Sequence, residues 1–316
     1  MSSPLVSILI NNYNYDRYLK QAIESALAQT YRPIEIVVVD DGSIDASKEI
    51  VASFGDAIVP ILKPNGGQAS AFNVGFNASN GDILCFLDSD DTFLPNKVSK
   101  VVEAFVERTR QNRKVMIFNM LEAIDEDGNL LGYRRPDLFC DFLPPNLYAM
   151  ACKDAYIPHN AAPTSGLSLS RELAQQIFPL PESVNISADS FIVRAASLLG
   201  EVYGVEDLLS QYRVHGKNNW YAAEVSQRKP ESREFLLAQD RFLNQKLSEN
   251  QLAPVISFFD SFYARNFYLK EGSGNDLLKL GFKVLKRHPD LKTLKFFLKT
   301  LSLGLQKIMA SKADKL

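Results

Sequence analysis

The sequence predicts an α/β fold: a mostly parallel sheet sandwiched by helices, with a helical C-terminal extension. Three observations carry this. Over the first 110 residues, short apolar runs alternate with segments whose apolar residues recur at helical spacing. The runs are hydrophobic without alternation, as in strands buried on both faces of a parallel sheet. After about residue 225 helical spacing alone remains.

The first strand is the run Leu5 to Ile10, followed by a helix marked by Tyr18, Leu19, Ala22, Ile23, Ala26 and Leu27 and closed by Pro33. Ile34 to Val39 is a near-continuous β-branched run and reads as the second strand. A polar helix (45–53), a short strand (58–62), a Gly-Gly turn, a small-residue helix (68–77) and the strand Ile83 to Leu87 come next. Val98, Val101, Val102, Phe105 and Val106 mark an amphipathic helix with Pro95 at its first turn. This βαβ order gives a sheet covered by helices on both faces, where ligands bind beyond the carboxyl ends of the strands.

Between 111 and 224 the pattern changes. Val115 to Met120 is a strand, Asp125 to Asn129 is a hairpin turn with Asp-Gly at its centre, and 136–163 is Pro-rich and irregular. A short strand (166–170), a helix (190–199) and a strand-like run (202–214) complete this part. In 225–316, Phe258, Phe259, Phe262, Tyr263 and Phe267 form one helical stripe. Leu291, Leu294, Leu298, Leu301, Leu305 and Ile308 form a second, spaced like a short coiled-coil seam. The domain expectation is therefore 1–110 and 111–224 as halves of one domain, and 225–316 as a helical region.

Composition narrows the function classes. Of 316 residues 46% are hydrophobic and 23% charged, which argues against disorder, and a net charge of −2 gives no global basic field for nucleic acid. Three widely spaced cysteines, Cys85, Cys140 and Cys152, suit neither a disulfide framework nor a zinc site and favour a reducing compartment. The start reads as lacking a secretory signal, and no run reaches the 18 or so apolar residues of a spanning helix. The expected location is cytoplasmic.

Two predicted strands end in acid. One ends in Asp40-Asp41, the other in Asp88-Ser89-Asp90-Asp91. Three carboxylates within four residues repel one another, and a hard divalent cation such as Mg²⁺ or Mn²⁺ relieves that conflict while bridging to a diphosphate. The alternative is a turn that caps the helix after Pro95. The loop after strand one, Asn11-Asn12-Tyr13-Asn14, has no glycine, which excludes the dinucleotide-binding fingerprint of a nicotinamide dehydrogenase. Tyr13 can instead stack on a base whose N–H groups Asp40 or Asp41 accept; an ordinary turn is the competing reading.

The segments SILINNYNYDRYLKQAIESALAQTYRPIEIVVVDDGSIDAS and NGGQASAFNVGFNASNGDILCFLDSDD resemble the inverting family 2 glycosyltransferases of the GT-A fold, closely over 4–110 and loosely to 220. The resemblance makes 1–110 the nucleotide-sugar-binding half and 111–224 the acceptor-binding half. It places Asn12, Tyr13, Asp40, Asp41, Gly66, Gly67, Asn73 and Asp88 at the donor, and Asp88, Asp90 and Asp91 at the metal and diphosphate. It also implies a catalytic base at Asp189, where the preceding position holds Ala188 in place of the family's Glu. From the element Tyr212-Arg213-Val214-His215-Gly216-Lys217-Asn218 it implies His215 at the metal and Arg213 or Lys217 at phosphate. Phe72 stands where many members carry Arg.

The implied enzyme is a metal-dependent hexosyl- or N-acetylhexosaminyl-transferase of polysaccharide biosynthesis. It would move a sugar from a nucleoside diphosphate, UDP-sugar favoured, to a glycan or lipid-linked saccharide. Two other readings stay open: a homologue that binds nucleotide-sugar or glycan without turnover, suggested by Ala188, and a phosphatase using Asp88 and Asp90 within Asp-x-Asp-x-Thr. The segment 281–316 carries nine Lys/Arg and two Asp. It reads as a helix packed on its own domain, a basic helix on an anionic inner-membrane surface, or a dimer seam. Trp220 and Tyr221 could stack on an acceptor sugar or belong to the core.

Overall fold

The computed structural model describes residues 3–110, 112–136, 143–158, 161–216, 218 and 232–313. Two units partition the chain, Met1–Asn146 with His159–Arg228, and Leu147–Pro158 with Lys229–Leu316. In order, the elements through the first unit are β1 (Val6–Asn12), α1 (Asp16–Leu27), β2 (Ile34–Asp40), α2 (Ser47–Ser53), β3 (Val59–Leu62), α3 (Gln68–Ala78), β4 (Ile83–Asp88), β5 (Thr92–Phe93), α4 (Lys97–Arg108), β6 (Val115–Ile124) and β7 (Leu130–Arg135). Helix α5 (Tyr148–Asp154) belongs to the second unit. The first unit then closes with β8 (Leu167–Ser170), α6 (Arg171–Ile177), α7 (Ala188–Leu199) and β9 (Glu201–Arg213).

The described strands of this unit form one sheet in the order β3-β2-β1-β4-β8-β6-β9-β5, with β7 on β6. Pairing is parallel from β3 to β4, antiparallel at β4/β8, β8/β6 and β9/β5, and parallel again at β6/β9. Helices cover both faces because the pleat sends successive side chains opposite ways. Val6, Ile8 and Ile10 of β1, with Ile83, Cys85 and Leu87 of β4, join one core with Leu19, Ala22 and Ile23 of α1 and Val98 and Val101 of α4. On the other face Phe86 meets Phe72 of α3 edge-on at 5.3 Å. The turn expected at Asp125–Asn129 joins β6 to β7, where Gly128 takes φ +90° and Asp125 Oδ1 accepts from the backbone N–H of Asp127 and Asn129.

In the second unit α8 (Arg233–Glu249), α9 (Arg265–Lys270), α10 (Gly274–Arg287) and α11 (Leu291–Ala313) follow. Three expectations are corrected by the structure. The stretch 136–163 is not irregular throughout, since α5 forms within it. The aromatic stripe is not one helix: 3₁₀ turns at Phe258–Asp260 and Phe262–Ala264 precede α9, with Ser261 Oγ accepting from Tyr263 N. The leucine row of α11 is not a buried seam, because the helix buries Thr293, Phe296, Thr300 and Gly304. Helix α6 and the two-residue strand β5 have no counterpart in the sequence reading; both are short, and short elements carry little periodicity. Among the described residues no helix is long and apolar enough to cross a membrane.

Candidate active site

The register of the parallel strands assembles the site. Asn12 of β1 lies beside Asp40 of β2, and Asn11 beside Asp88 of β4, so three strands deliver polar ends to one edge of the sheet. Beyond β1, Tyr13 is 46% exposed, while the surrounding loop is laced down. Asn12 Nδ2 donates to Asp40 Oδ2 at 2.8 Å, Ser43 N to Asp40 Oδ1 at 2.9 Å, and Asn14 N to Ser43 Oγ at 2.9 Å. Asp40 is fully buried and thus braces the loop between β2 and α2 against the end of β1. Asp41 pairs with Lys63 and accepts from Gly66 N at 3.0 Å and Gly67 N at 2.8 Å, which fixes the glycine loop ahead of α3.

That loop is also tied to the start of α7. Gln68 N donates to Asn185 O at 3.0 Å, Ala69 N to Val184 O at 3.2 Å, and Ala188 N to Gln68 Oε1 at 2.9 Å. Gly67 sits at φ +84°, and a Cβ there would stand 2.7 Å from Asn185 Cα, so the close approach needs glycine. Asn73 lies in the supporting layer, its amide exchanging hydrogen bonds with Leu180 N (2.7 Å) and O (2.9 Å). Phe72 is core.

At the end of β4, Asp88, Asp90 and Asp91 each present a carboxylate oxygen within 4.8 Å of the others. Ser165, in the turn before β8, holds two of them: Asp88 N donates to Ser165 Oγ at 3.0 Å, and that hydroxyl donates to Asp91 Oδ2 at 2.5 Å. Asp91 Oδ1 accepts from Arg213 N at 2.9 Å. Burial, then the charges of Asp90 and Asp189, pushes the Asp88 carboxyl up to about 8, and side-chain hydrogen bonds from Thr164 and Asn11 offset part of this. Asp91 is raised well above the usual range, again by burial first and then by Asp90 and Asp88. Their own burial, and after it the same carboxylates, raises the hydroxyls of Tyr15 and Tyr212. Buried Asp88 Oδ1 has no hydrogen-bond partner, and neither has Asn11 Oδ1 beside it in the sheet or Asn12 Oδ1 at the end of β1. An all-oxygen set of mutually repelling carboxylates with an unpartnered buried oxygen fits a hard divalent cation.

His215 stands one layer behind: its Nε2 is 3.0 Å from Asp90 Oδ2, and its ring stacks on Tyr18 (5.1 Å) and meets Tyr15 edge-on (5.5 Å). Arg213 is 2% exposed and directs its donors inward. Nε reaches Asp90 O, one terminal nitrogen Asp125 O and Glu126 O, and the other Gln21 Oε1, while the guanidinium lies over Tyr18. Its place is thus to pin the acidic loop and the β6–β7 turn together. Asp189 sits in the first turn of α7, accepting from Ser190 N at 2.9 Å, and its charge reaches Asp88. Lys217, Trp220, Tyr221 and Cys140 lie outside the described residues.

Several site residues escaped the sequence reading. Ser165 is the main one; its signal is a polar Thr-Ser-Gly step leading into the alternating strand Leu167–Ser170. Tyr15 and Tyr18, second aromatics in an Asn-rich turn and helix start, wall the acid cluster. Underneath, fully buried Lys97 donates to Asn119 Oδ1, Asn119 Nδ2 to Ser210 Oγ at 3.3 Å, and Ser210 Oγ to Ser165 O at 2.8 Å, so Ser165 is itself held from below. Burial lowers the Lys97 ammonium to about 8.

Comparison with known proteins agrees with this architecture. The family model for Glycosyl transferase family 2 matches residues 7–134. An uncharacterized glycosyltransferase of Nostoc sp. is 34% identical over 252 residues, 77% of this chain and 75% of that protein. One from Rickettsia typhi is 42% identical over 135 residues, covering 43% of this chain and 42% of its own length. Against the Rickettsia conorii relative, 44% identical over 135 residues, the match spans 42% of this chain and only 22% of that protein. In fold, the S. aureus TarS 1-349 complex with UDP-GlcNAc superimposes with a TM-score of 0.56 at 14% identity, over 96% of this chain and 92% of that one. The sheet and its covering helices are of the GT-A type. The chain belongs to glycosyltransferase family 2.

Proposed function

We propose that this glycosyltransferase moves a hexosyl or N-acetylhexosaminyl group from a nucleoside-diphosphate sugar to a hydroxyl of a glycan or lipid-linked saccharide, with inversion. A UDP-sugar is the first donor to test, because the TarS fragment of the same fold type is described with UDP-GlcNAc. The observation that carries the proposal is the acid cluster at the end of β4, where Asp88, Asp90 and Asp91 each present a carboxylate oxygen within 4.8 Å of the others; Asp189, in the first turn of α7, adds its charge to those that raise Asp88.

The parts take the following roles. Tyr13 stacks on the base, and the Asn12, Asp40 and Asp41 lattice shapes the base and ribose end around it. The Gly66-Gly67 loop, held by Asp41, borders the donor. Asp88, Asp90 and Asp91 would hold a divalent cation, with His215 orienting Asp90 from behind. Such a cation, when bound, supplies charge neutralisation for the departing diphosphate. The acceptor hydroxyl attacks the anomeric carbon as its bond to the diphosphate oxygen breaks, and Asp189 takes the hydroxyl proton. A single base opposite the leaving group yields inversion; retention by double displacement needs a second, nucleophilic carboxylate.

The test is release of nucleoside diphosphate from a panel of UDP-, GDP- and dTDP-sugars with Mn²⁺ or Mg²⁺, comparing wild type with Asp189→Asn. Turnover in the variant should fall about 10²- to 10⁴-fold with donor affinity retained, the range for losing a general base. A variant as active as wild type would overturn the assignment.

A further inference from the structure

The hairpin of α10 and α11 is built the reverse way round for a helix pair covered only by water. The two helices run antiparallel and touch through their smallest residues. A Cβ on Gly274 would lie 2.3 Å from Gly304 O, and one on Gly281 would lie 2.1 Å from Thr300 Oγ1. Thr293, Phe296, Thr300 and Gly304 are the side of α11 that is buried. The large residues face outward: Leu291, Leu294, Leu298, Leu305 and Met309, with Phe282 of α10, are between 41% and 71% exposed. At about 100° per residue those five α11 positions fall within an arc of about 60°, so they form one continuous row. Phe282 extends the row onto α10 through its ring contact with Phe297 at 4.7 Å. Isolated surface leucines are ordinary, whereas a row of this length calls for a partner.

Charge identifies the partner. Lys292, Lys295 and Lys299 occupy the arc next to the leucines, and Lys279 and Lys286 stand one turn either side of Phe282. Across 274–313 there are nine Lys/Arg against Asp276 and Asp290, a formal +7 in a chain of net −2. An apolar row bordered on both sides by lysines matches an anionic bilayer surface, with leucines at acyl-chain level and ammonium groups among phosphates. Since neither helix is long and apolar enough to cross, the hairpin lies in the surface plane. A second copy is the poorer occupant, because face-to-face pairing brings the two lysine borders together.

We propose that the α10–α11 hairpin docks the protein on an anionic membrane surface through Phe282, Leu294, Leu298 and Leu305, bordered by Lys279, Lys286, Lys292, Lys295 and Lys299. The proposal stands apart from the glycosyl-transfer reading. It is tested by floating the full chain with phosphatidylcholine vesicles, with and without about a quarter phosphatidylglycerol, at low and high salt. Flotation should need the anionic lipid and weaken with salt. Leu294→Ser/Leu298→Ser/Leu305→Ser and Lys292→Glu/Lys295→Glu/Lys299→Glu should each lower it about tenfold or more. Both sets alter exposed side chains, and an unchanged melting temperature and circular dichroism spectrum verify the fold. Asp189→Asn should float like wild type, which separates docking from catalysis. Three results would overturn the proposal: no flotation on anionic vesicles, equal flotation of both triple variants, or a wild-type dimer in sedimentation equilibrium that the leucine variant dissolves.

Discussion

The carboxyl of Asp88 loads the fold with a pH-dependent cost that can be measured without any substrate. An unfolded aspartate titrates near 3.9. In the folded chain burial, Asp90 and Asp189 push Asp88 up to about 8. Between those two values the folded state keeps a proton that the unfolded state has lost, so stability falls as pH rises. One proton is worth about 1.4 kcal/mol per pH unit, which amounts to about 4 kcal/mol between about pH 4 and pH 7. For a unit of this size that is a melting shift of about 10 °C. Asp91, raised by the same causes, steepens the slope. The experiment is a thermal melt in chelator across this range for wild type and Asp88→Asn. The amide is uncharged at every pH, so the variant should lose the Asp88 share of the slope, keep the share due to Asp91, and overtake wild type in stability above neutrality. Mn²⁺ with UDP should lift the wild-type melt at pH 8 much more than at pH 5, and lift the variant little. Parallel slopes for the two proteins would refute the electrostatic reasoning, whatever their activities.

Two more substitutions probe the scaffold. Arg213→Ala removes the donors of Asp90 O, Asp125 O and Glu126 O and should cost about 2–4 kcal/mol in urea unfolding. Arg213→Lys should recover little of this, since a compact ammonium lacks the reach of the guanidinium's planar fork, whose Nε and two terminal nitrogens are all used here. Gly67→Ala forces a side chain into φ +84° against Asn185, and should destabilise by about 1–3 kcal/mol while raising the donor KM.

The sequence made the strand ends legible because two independent patterns agree there. Unbroken apolar runs announce buried parallel strands, and acids at their ends, as at Asp40 and Asp88, stand out sharply against them. What stayed hidden came from contacts across long stretches of chain. Ser165 meets Asp91 over 74 positions, and Arg213 reaches Gln21 over 192. No local spacing encodes such pairs, so Arg213 read as a phosphate ligand although its donors turn inward. The leucine row of α11 shows a different limit. Periodicity reports that one face is apolar but not which way it points, and here glycines and threonines turned the opposite face in.

The stitching of the 63–68 loop to 184–188 has a practical consequence. Retuning which sugar nucleotide is accepted would naturally start at the glycine loop, yet any displacement there is transmitted through Gln68 to the first turn of α7. If the proposed roles hold, donor selectivity and proton abstraction share one latch, and altered-specificity variants made in this loop should trade speed for choice unless Asn185 and Gln68 are redesigned with it.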